Sequence, residues 1–559
     1  MELSDLILLP RPRLLRADRG SCPNCAPKIT VDPHAPPLAQ GYRLGLTPGG
    51  PEILARDDTG AFYGRATLAQ VTRQCKQRLP CGEIEDAPDF PVRGVMLDVS
   101  RDKVPKMDTL MALVDDLAAW KINHLELYTE HTFTYRNHPA VWKDASPMTH
   151  DEIRQLDAYC RERFVELVAN QNSFGHFERW LKHPAYRHLA ECPDGFESPG
   201  GGQRSACGST LCPVEPGSIK LLEQLYEELL PLFTSRKFNV GCDETWELGQ
   251  GRSQPDCERL GKERVYLEFL LKINQLVQRH GCRMHFWGDI LLSNPELIRE
   301  LPGNMVPLDW GYETESPFDQ HGALLAGLDR QYYVCPGTSS WNSIAGRTEN
   351  CLGNLRNAAV NGLRHGAIGF LNTDWGDNGH WQYLPISCLG FAAGAAVSWC
   401  YEANKAEDFI AALDTHVFRD DAGVMGKLAY DIGNAYLKPG LIEANSSVLF
   451  RLLQSGQIEI PIQLIQAREY IDAVLSPLAR ARMRRPDARL VRDEFANAGR
   501  LLLHACDRGL NAPLSQLGGQ WRGIVKEHRR LWLARNRPGG LDDSIERLAP
   551  PGSSKVDSE

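Results

Sequence analysis

Asp243 and Glu244 are the side chains best placed to do chemistry in this 559-residue sequence. They follow Phe238-Asn239-Val240-Gly241-Cys242, a short apolar run that reads as a buried strand. An Asp-Glu dipeptide alone is common and usually marks a solvated turn. Two adjacent carboxyl groups leaving a buried strand diverge in direction and meet different neighbours. Different neighbours set different pKa values, so one group can stay ionised while the other keeps a proton and acts as a general acid.

The ends of the other apolar runs are just as polar. Arg101 follows the run at 94–99, within Ser100-Arg101-Asp102. Glu130 and His131 follow 123–128, Asn172 and His176 follow 164–170, and Trp287-Gly288-Asp289 ends the run at 284–287. Asp309-Trp310-Gly311-Tyr312 ends the next, Trp341 lies after the one beyond it, and Trp375-Gly376-Asp377 leaves the last. Five of the 12 tryptophans (Trp246, Trp287, Trp310, Trp341 and Trp375) fall at such ends. Indole faces pack on the C–H faces of a sugar ring, and carboxylates between them accept from its hydroxyls. A single tryptophan more often caps a core. Five at one set of strand ends point to at least two in a sugar site.

These ends must be gathered on one rim. Apolar runs at 94–99, 123–128, 164–170, 238–241, 284–287, 305–309, 332–335 and 367–372 alternate with helical patterns eight times. Met107, Leu110, Met111, Val114, Leu117 and Ala118 repeat at helical spacing, as do Val265, Phe269, Leu270, Ile273, Leu276 and Val277. Thr149-His150-Asp151-Glu152 is a capping box that opens another helix. Eight buried strands alternating with helices predict an α/β fold, a (β/α)8 TIM barrel, whose chemistry gathers at the C-terminal ends of its strands. A doubly wound open sheet would want a glycine-rich first turn, which 94–102 lacks. Residues 1–90 read as a small α+β domain, with strands at 41–47 and 52–55, a helix over 61–75 and a linker at Pro80, Pro88 and Pro91. The catalytic barrel is expected over 91–402, a helical region over 403–545 and a flexible tail over 546–559.

The 62 basic and 71 acidic residues leave a net charge of −9, which argues against a grip on nucleic acid or an anionic membrane. No run approaches the ~18 apolar residues of a membrane span. The apolar stretch within residues 1–19 is too short for a secretion signal, and no small-residue cleavage site follows. The 16 cysteines are scattered rather than framed, so a cytoplasmic protein with reduced thiols is expected. Cys22 and Cys25 form a CxxC with only His34 nearby, which reads as two free thiols in a loop rather than a zinc or redox pair.

Over roughly residues 40–400 the sequence resembles glycoside hydrolase family 20, the β-N-acetylhexosaminidases. Gly241-Cys242-Asp243-Glu244 resembles the family's strand-end Asp-Glu signature, with Cys242 where a second glycine is usual and Asn239 where a histidine is common. Gly94-Val95-Met96-Leu97-Asp98-Val99-Ser100-Arg101 is similar to its first barrel strand, Gly175-His176 to its third-strand motif, and Trp375-Gly376-Asp377 to its eighth. Gly60-Ala61-Phe62-Tyr63-Gly64 with Thr67-Leu68 is similar to the end of the small domain that precedes these barrels. The resemblance implies an exo-acting enzyme that removes terminal β-linked N-acetylhexosamine by substrate-assisted retaining catalysis. The substrate's acetamido oxygen would attack the anomeric carbon, Asp243 would support the acetamido N–H, and Glu244 would protonate the leaving oxygen and then activate water. Trp287 and Trp375 would wall the pocket, and Arg101 and Asp377 would hold ring hydroxyls. Glu130, His176, Trp310, Tyr312 and Trp341 complete the expected substrate site. No cofactor and no metal is implied. The partner is a small glycoside or oligosaccharide, and a homodimer is compatible. Cys335-Pro336-Gly337-Thr338 stands where the family carries a tyrosine on the acetamido carbonyl, which leaves Tyr312 or Tyr333 for that place. Glu130-His131 stands where an aspartate is commoner.

Two other readings fit the same residues. An ordinary two-carboxylate retaining glycosidase would take Glu130, Asp289 or Asp377 as its second acid. A non-catalytic carbohydrate-binding barrel would need neither member of the Asp243-Glu244 pair. A metal-dependent hydrolase ranks below both, since no His-x-His stands at a strand end.

Overall fold

The computed structural model describes residues 2–197, 204–454 and 458–548. The chain opens with five strands, β1 (Leu14–Pro23), β2 (Lys28–Val31), β3 (Tyr42–Thr47), β4 (Gly50–Ala55) and β5 (Arg78–Asp86). They form one sheet in the order β1-β5-β3-β4-β2, antiparallel except for the β2–β4 pair. In β3, Tyr42, Leu44 and Leu46 point inward while Arg43 and Thr47 face water, the alternation of a half-buried strand. Helix α1 (Asp58–Gln74) packs on β3 and β4, its start capped by the Asp57 carboxylate, which accepts from Gly60 N at 2.7 Å. β3 and β4 match the two expected strands, whereas β1, β2 and β5 escape the sequence pattern. β1 is almost wholly exposed, so it shows no alternation. In β5, Pro80 reads as linker. It lies opposite Ser21, where the β1–β5 register shifts, so its missing N–H falls at an irregularity in the ladder. Cys22 is buried at the end of β1, not in a loop, and Cys25 is exposed just beyond it. Among the described residues, neither joins a group of three metal-ligating side chains.

Eight parallel strands close the barrel: β6 (Val92–Asp98), β7 (His124–Tyr128), β8 (Glu166–Asn170), β9 (Lys237–Asn239), β10 (Arg283–Trp287), β11 (Met305–Trp310), β12 (Tyr333–Cys335) and β13 (Gly369–Asp374). β13 pairs with β6 to complete the ring. Helices outside the barrel bury an apolar stripe, as Leu110, Leu113, Val114 and Leu117 do in Met107–Ala119. The expected capping box is present, with Thr149 N donating to Glu152 Oε2 at 2.9 Å and Glu152 N to Thr149 Oγ1 at 3.3 Å.

A buried polar hub joins the small domain to the barrel. Lys121 Nζ pairs with Asp86 at 2.9 Å, and Asp86 also accepts from Tyr42 Oη at 2.9 Å and Trp399 Nε1 at 2.8 Å. Arg93, at the start of β6, donates to Tyr63 Oη at 2.9 Å and Gln40 Oε1 at 3.0 Å.

Helix Leu384–Trp399 is buried around its whole circumference, and beyond it the described chain is mostly helical. Ala488–Gly509 buries Val491, Phe495, Ala498, Leu501 and Leu502. The last helix runs Leu541–Leu548, so helical structure continues three residues past 545. The remainder of the expected tail, 549–559, lies outside the described residues.

Candidate active site

β9 is only three residues long because the backbone turns sharply after it. Gly241, Cys242 and Glu244 have φ of +67°, +73° and +49°. Left-handed backbone is costly for the two non-glycine residues and persists only where the surroundings enforce it. Here Gly241 O accepts from Trp287 N at 3.0 Å, Cys242 N donates to Asn172 Oδ1 at 3.2 Å, and Cys242 O accepts from Tyr266 Oη at 2.8 Å. Gly241 is required for space as well as for φ, since a Cβ there would lie 2.2 Å from Asn172 Oδ1. Asn239 links the turn to the barrel interior, accepting from Gly241 N at 3.0 Å and donating to Glu126 at 2.9 Å.

The turn delivers Asp243 and Glu244 to one histidine. His176 Nε2 lies 3.3 Å from Asp243 Oδ2 and 3.5 Å from Glu244 Oε2. Gly175 permits this approach, because a Cβ there would meet Asp243 O at 2.4 Å. Burial disfavours the imidazolium, but the charge and contact of Asp243 outweigh it and raise His176 to about 10. Burial likewise opposes ionisation of Asp243, and the His176 and Arg101 cations overcome it, holding its carboxyl below the usual range. Glu244 goes the other way. Burial, then the Asp243 charge, push it up to about 7 against the pull of His176 and Arg101. Asp243 is thus buried and ionised, while Glu244 keeps its proton near neutrality and leaves 32% of its side chain open to solvent. Asp243 Oδ1 is buried with no hydrogen-bond partner among the described residues, an acceptor waiting for a donor.

Arg101 organises the opposite wall. Its guanidinium lies 3.2 Å from Asp98, 3.5 Å from Glu130 and 3.5 Å from Asp377, over the touching rings of Tyr128 and Trp375. Burial pushes Glu130 up to about 7 against the Arg101 charge, and Tyr128 Oη donates to it at 2.9 Å. Burial also raises Asp377, again opposed by Arg101. Two three-residue clusters meet at His176: one with Asp243 and Glu244, the other with Glu130 and Glu178. In each, the polar atoms lie within 4.8 Å of one another. His176 is shared by both clusters and is the ion-pair partner of Asp243 and Glu244.

The aromatic wall is continuous. Trp287 and Trp375 have ring centroids 5.9 Å apart, Tyr128 stands edge-on to Trp375 at 4.7 Å, and Trp310 stacks on Tyr312 at 5.2 Å. Trp341 meets Tyr312 at 90° and donates its indole N–H to Asn445 at 2.9 Å. Tyr312 Oη accepts from Trp375 Nε1 at 2.8 Å. Tyr333 starts β12 and packs beside His285 and His124 deep in the barrel, so of the two tyrosines only Tyr312 reaches this rim. Trp246 is 41% exposed and sits edge-on to His176, outside the buried wall.

All eleven expected residues (Arg101, Glu130, His176, Asp243, Glu244, Trp287, Trp310, Tyr312, Trp341, Trp375 and Asp377) therefore stand at the strand ends on one face of the barrel. Asp98, Tyr128, Asn172 and Asp289 also belong to the site and were not singled out as its substrate residues by the pattern. Asp98 accepts from Arg101 N at 3.0 Å and from Gly376 N at 3.0 Å, tying the first strand's end to the eighth. Burial and the Asp243 charge raise Asp289 to about 7.

Comparison with known proteins places the chain. The model for "Glycosyl hydrolase family 20, catalytic domain" matches residues 90–321, and that for "Glycosyl hydrolase family 20, domain 2" matches 15–87, together more than half of the sequence. Trp341, Trp375 and Asp377 lie beyond both matches. A beta-hexosaminidase of Akkermansia muciniphila is 28% identical over 297 residues, 46% of this chain and 58% of the relative. One of Porphyromonas gingivalis is 26% identical over 298 residues, 47% of this chain and 37% of the relative. The chain thus spans less than two thirds of the length of these curated relatives. Among solved structures, Flavobacterium johnsoniae chitobiase superposes with a TM-score of 0.61 over 98% of this chain and all of that one, at 17% identity, a likeness of fold. With both matched domains in sequence order and the closed barrel between them and the helices, this chain belongs to glycosyl hydrolase family 20.

Proposed function

We propose that the protein is an exo-acting β-N-acetylhexosaminidase working by substrate-assisted retention. The observation that carries this reading is the His176-clamped pair, in which Asp243 is held ionised while Glu244 is raised to about 7. Asp243 Oδ1, buried and unpartnered, accepts the acetamido N–H and stabilises the positive charge that grows on nitrogen as the acetamido oxygen attacks the anomeric carbon. Tyr312 Oη has its acceptor side engaged by Trp375, so its proton is free to meet the acetamido carbonyl. Glu244 gives its proton to the leaving oxygen as the glycosidic bond breaks. It then takes a proton from the water that opens the oxazolinium at the same carbon, so the anomeric configuration is retained. Arg101 and Asp377 bind ring hydroxyls, and Trp287, Trp310, Trp341 and Trp375 enclose the sugar. Every proton and electron pair in this sequence comes from substrate, water or Glu244.

A terminal N-acetylhexosamine on a small aglycone or oligosaccharide is the substrate class this pocket supports. A cytoplasmic setting is consistent with 16 unpaired cysteines. The test is turnover of 4-nitrophenyl β-glycosides with and without the 2-acetamido group, in gluco and galacto forms. Turnover of only the acetamido sugars, with tight inhibition by an oxazoline mimic, supports the reading. Equal turnover of plain glucosides returns the two-carboxylate mechanism, and no turnover at all returns a binding protein.

A further inference from the structure

Residues 535–548 come back from the helical region to the barrel rim and tie down one quadrant of it. At the loop after β6, Lys106 N donates to Arg535 O at 2.9 Å and Arg537 N to Val104 O at 2.8 Å. Gly540, at φ +76°, packs so closely on Asp102 that a Cβ would lie 1.8 Å from its carbonyl oxygen. After β7, Arg537 Nη1 donates to Pro147 O at 2.8 Å and Gly539 N to Ser146 Oγ at 3.0 Å. After β8, Asp543 pairs at 3.2 Å with Arg179, which also holds Asp102 at 2.9 Å. After β13, Ser544 Oγ donates to Gly379 O, and Trp381 Nε1 donates to Ser544 O at 3.1 Å.

These four loops carry Arg101, Glu130, His176 and Asp377. Among the described residues, no hydrogen bond or ion pair joins 535–548 to 240–246, to 287–289 or to 310–312. Leu541 and Leu548 anchor the segment in apolar packing, and a chamber of about 330 Å³ lies between residues 538–543 and the loops after β6, β7 and β8. Alternate residues of the shared wall serve the two sides: Arg101 and Glu130 face the site, while Asp102 and His131 face the chamber. The ion pairs of Arg101 run from 3.2 to 3.5 Å, longer than the ~2.7–2.9 Å of a tight charge-assisted hydrogen bond. Its position depends on the backbone of 98–106 as well as on its partners.

We propose that residues 535–548 form a positioning strap for sugar recognition. The strap holds Arg101 and Asp377 at the spacing a sugar's hydroxyls require, and leaves Asp243 and Glu244 to be placed by the barrel itself. The proposal rests on the hexosaminidase reading above. Gly540→Ala forces the strap off Asp102, and Asp543→Ala removes the strap's ion pair with Arg179, which keeps Asp102. On 4-nitrophenyl N-acetyl-β-glucosaminide at pH 6, where Glu244 is mostly protonated, Gly540→Ala is expected to raise KM about tenfold to a hundredfold with kcat kept. Asp543→Ala is expected to move KM the same way by less, and Asp543→Glu to restore it. Amide hydrogen exchange on the full-length protein is expected to quicken at 98–106 and 376–382 in Gly540→Ala, with 240–246 unchanged. A folded Gly540→Ala with wild-type KM and exchange, or one that loses kcat at constant KM, overturns the proposal. Should Gly540→Ala fail to fold, the half-exposed Asp543 carries the same test. A wild type inactive on acetamido sugars would refute the activity, and exchange alone would then decide whether the strap holds the two loops.

Discussion

Glu244→Gln tests the proposed proton donor. With Glu244 at about 7, nearly all molecules carry the acid at pH 5 and about one in ten at pH 8. For a substrate with a poor leaving group, such as an alkyl N-acetyl-β-glucosaminide, kcat/KM should fall tenfold per pH unit above that value. Glutamine keeps the shape and removes the proton, so at pH 6 the rate should drop on the order of 10²–10⁴-fold and the alkaline limb should vanish. An activated aryl glycoside leaves without protonation and should lose far less. Glu130 and Asp289 are raised to the same value, so the wild-type limb alone does not identify the group, whereas the variants do. Steady-state kinetics from pH 5 to 9 across a leaving-group series, with thermal melts alongside, make the measurement. A limb that persists near pH 7 in Glu244→Gln, or identical leaving-group slopes in variant and wild type, would remove Glu244 from the acid role.

Gly241→Ala forces a Cβ to within 2.2 Å of Asn172 Oδ1 at φ +67°, so it should cost about 1–3 kcal/mol in chemical denaturation and at least ~10² in kcat while the barrel still folds. Tyr312→Phe strands the Trp375 indole N–H; it should cost about 1–3 kcal/mol and slow acetamido substrates, and wild-type kinetics would remove Tyr312 from the acetamido carbonyl. Two buried groups should bend the stability profile in opposite senses. Burial lowers Lys103 to about 7, so its contribution is complete above the unfolded lysine range and is lost as pH falls toward 7. His176 is raised to about 10, so its contribution is complete below the usual histidine range and is lost as pH rises to 10. Melting temperatures of Lys103→Met and His176→Asn, each minus wild type between pH 7 and 10, should slope in opposite directions, and parallel slopes would contradict the assignment.

The barrel is legible because its strands are buried on both faces and announce themselves as short apolar runs between striped helices. The Asp243-Glu244 pair is legible because it leaves such a run directly. β1 and β5 are not, since a strand exposed on both faces and one interrupted by Pro80 break the alternation that marks a sheet. Asp98 and Tyr128 hide for another reason: each is a polar residue at the end of a buried strand, and a hydrogen-bond partner of each, Gly376 and Asn172, comes from a different strand's end. The strap is invisible to any local pattern, because Arg537 and Val104 meet across more than 400 residues of chain. Tyr312 and Tyr333 look equivalent in sequence, and only the barrel's depth separates the rim from the interior.

The hub around Asp86 bears on whether the protein can be divided. The floor of the barrel contains two buried cations, Arg93 and Lys121, which Gln40, Tyr42, Tyr63 and Asp86 reach from the small sheet domain, while Arg93 also donates to Phe90 O and Lys121 O. A fragment cut at the domain boundary would lose the small domain's partners and leave buried Trp399, which stands edge-on to Tyr63 of the small domain, facing water. The small domain is thus part of the barrel's thermodynamic unit: the two should unfold in a single transition, and an autonomous barrel would first need that apolar face made polar.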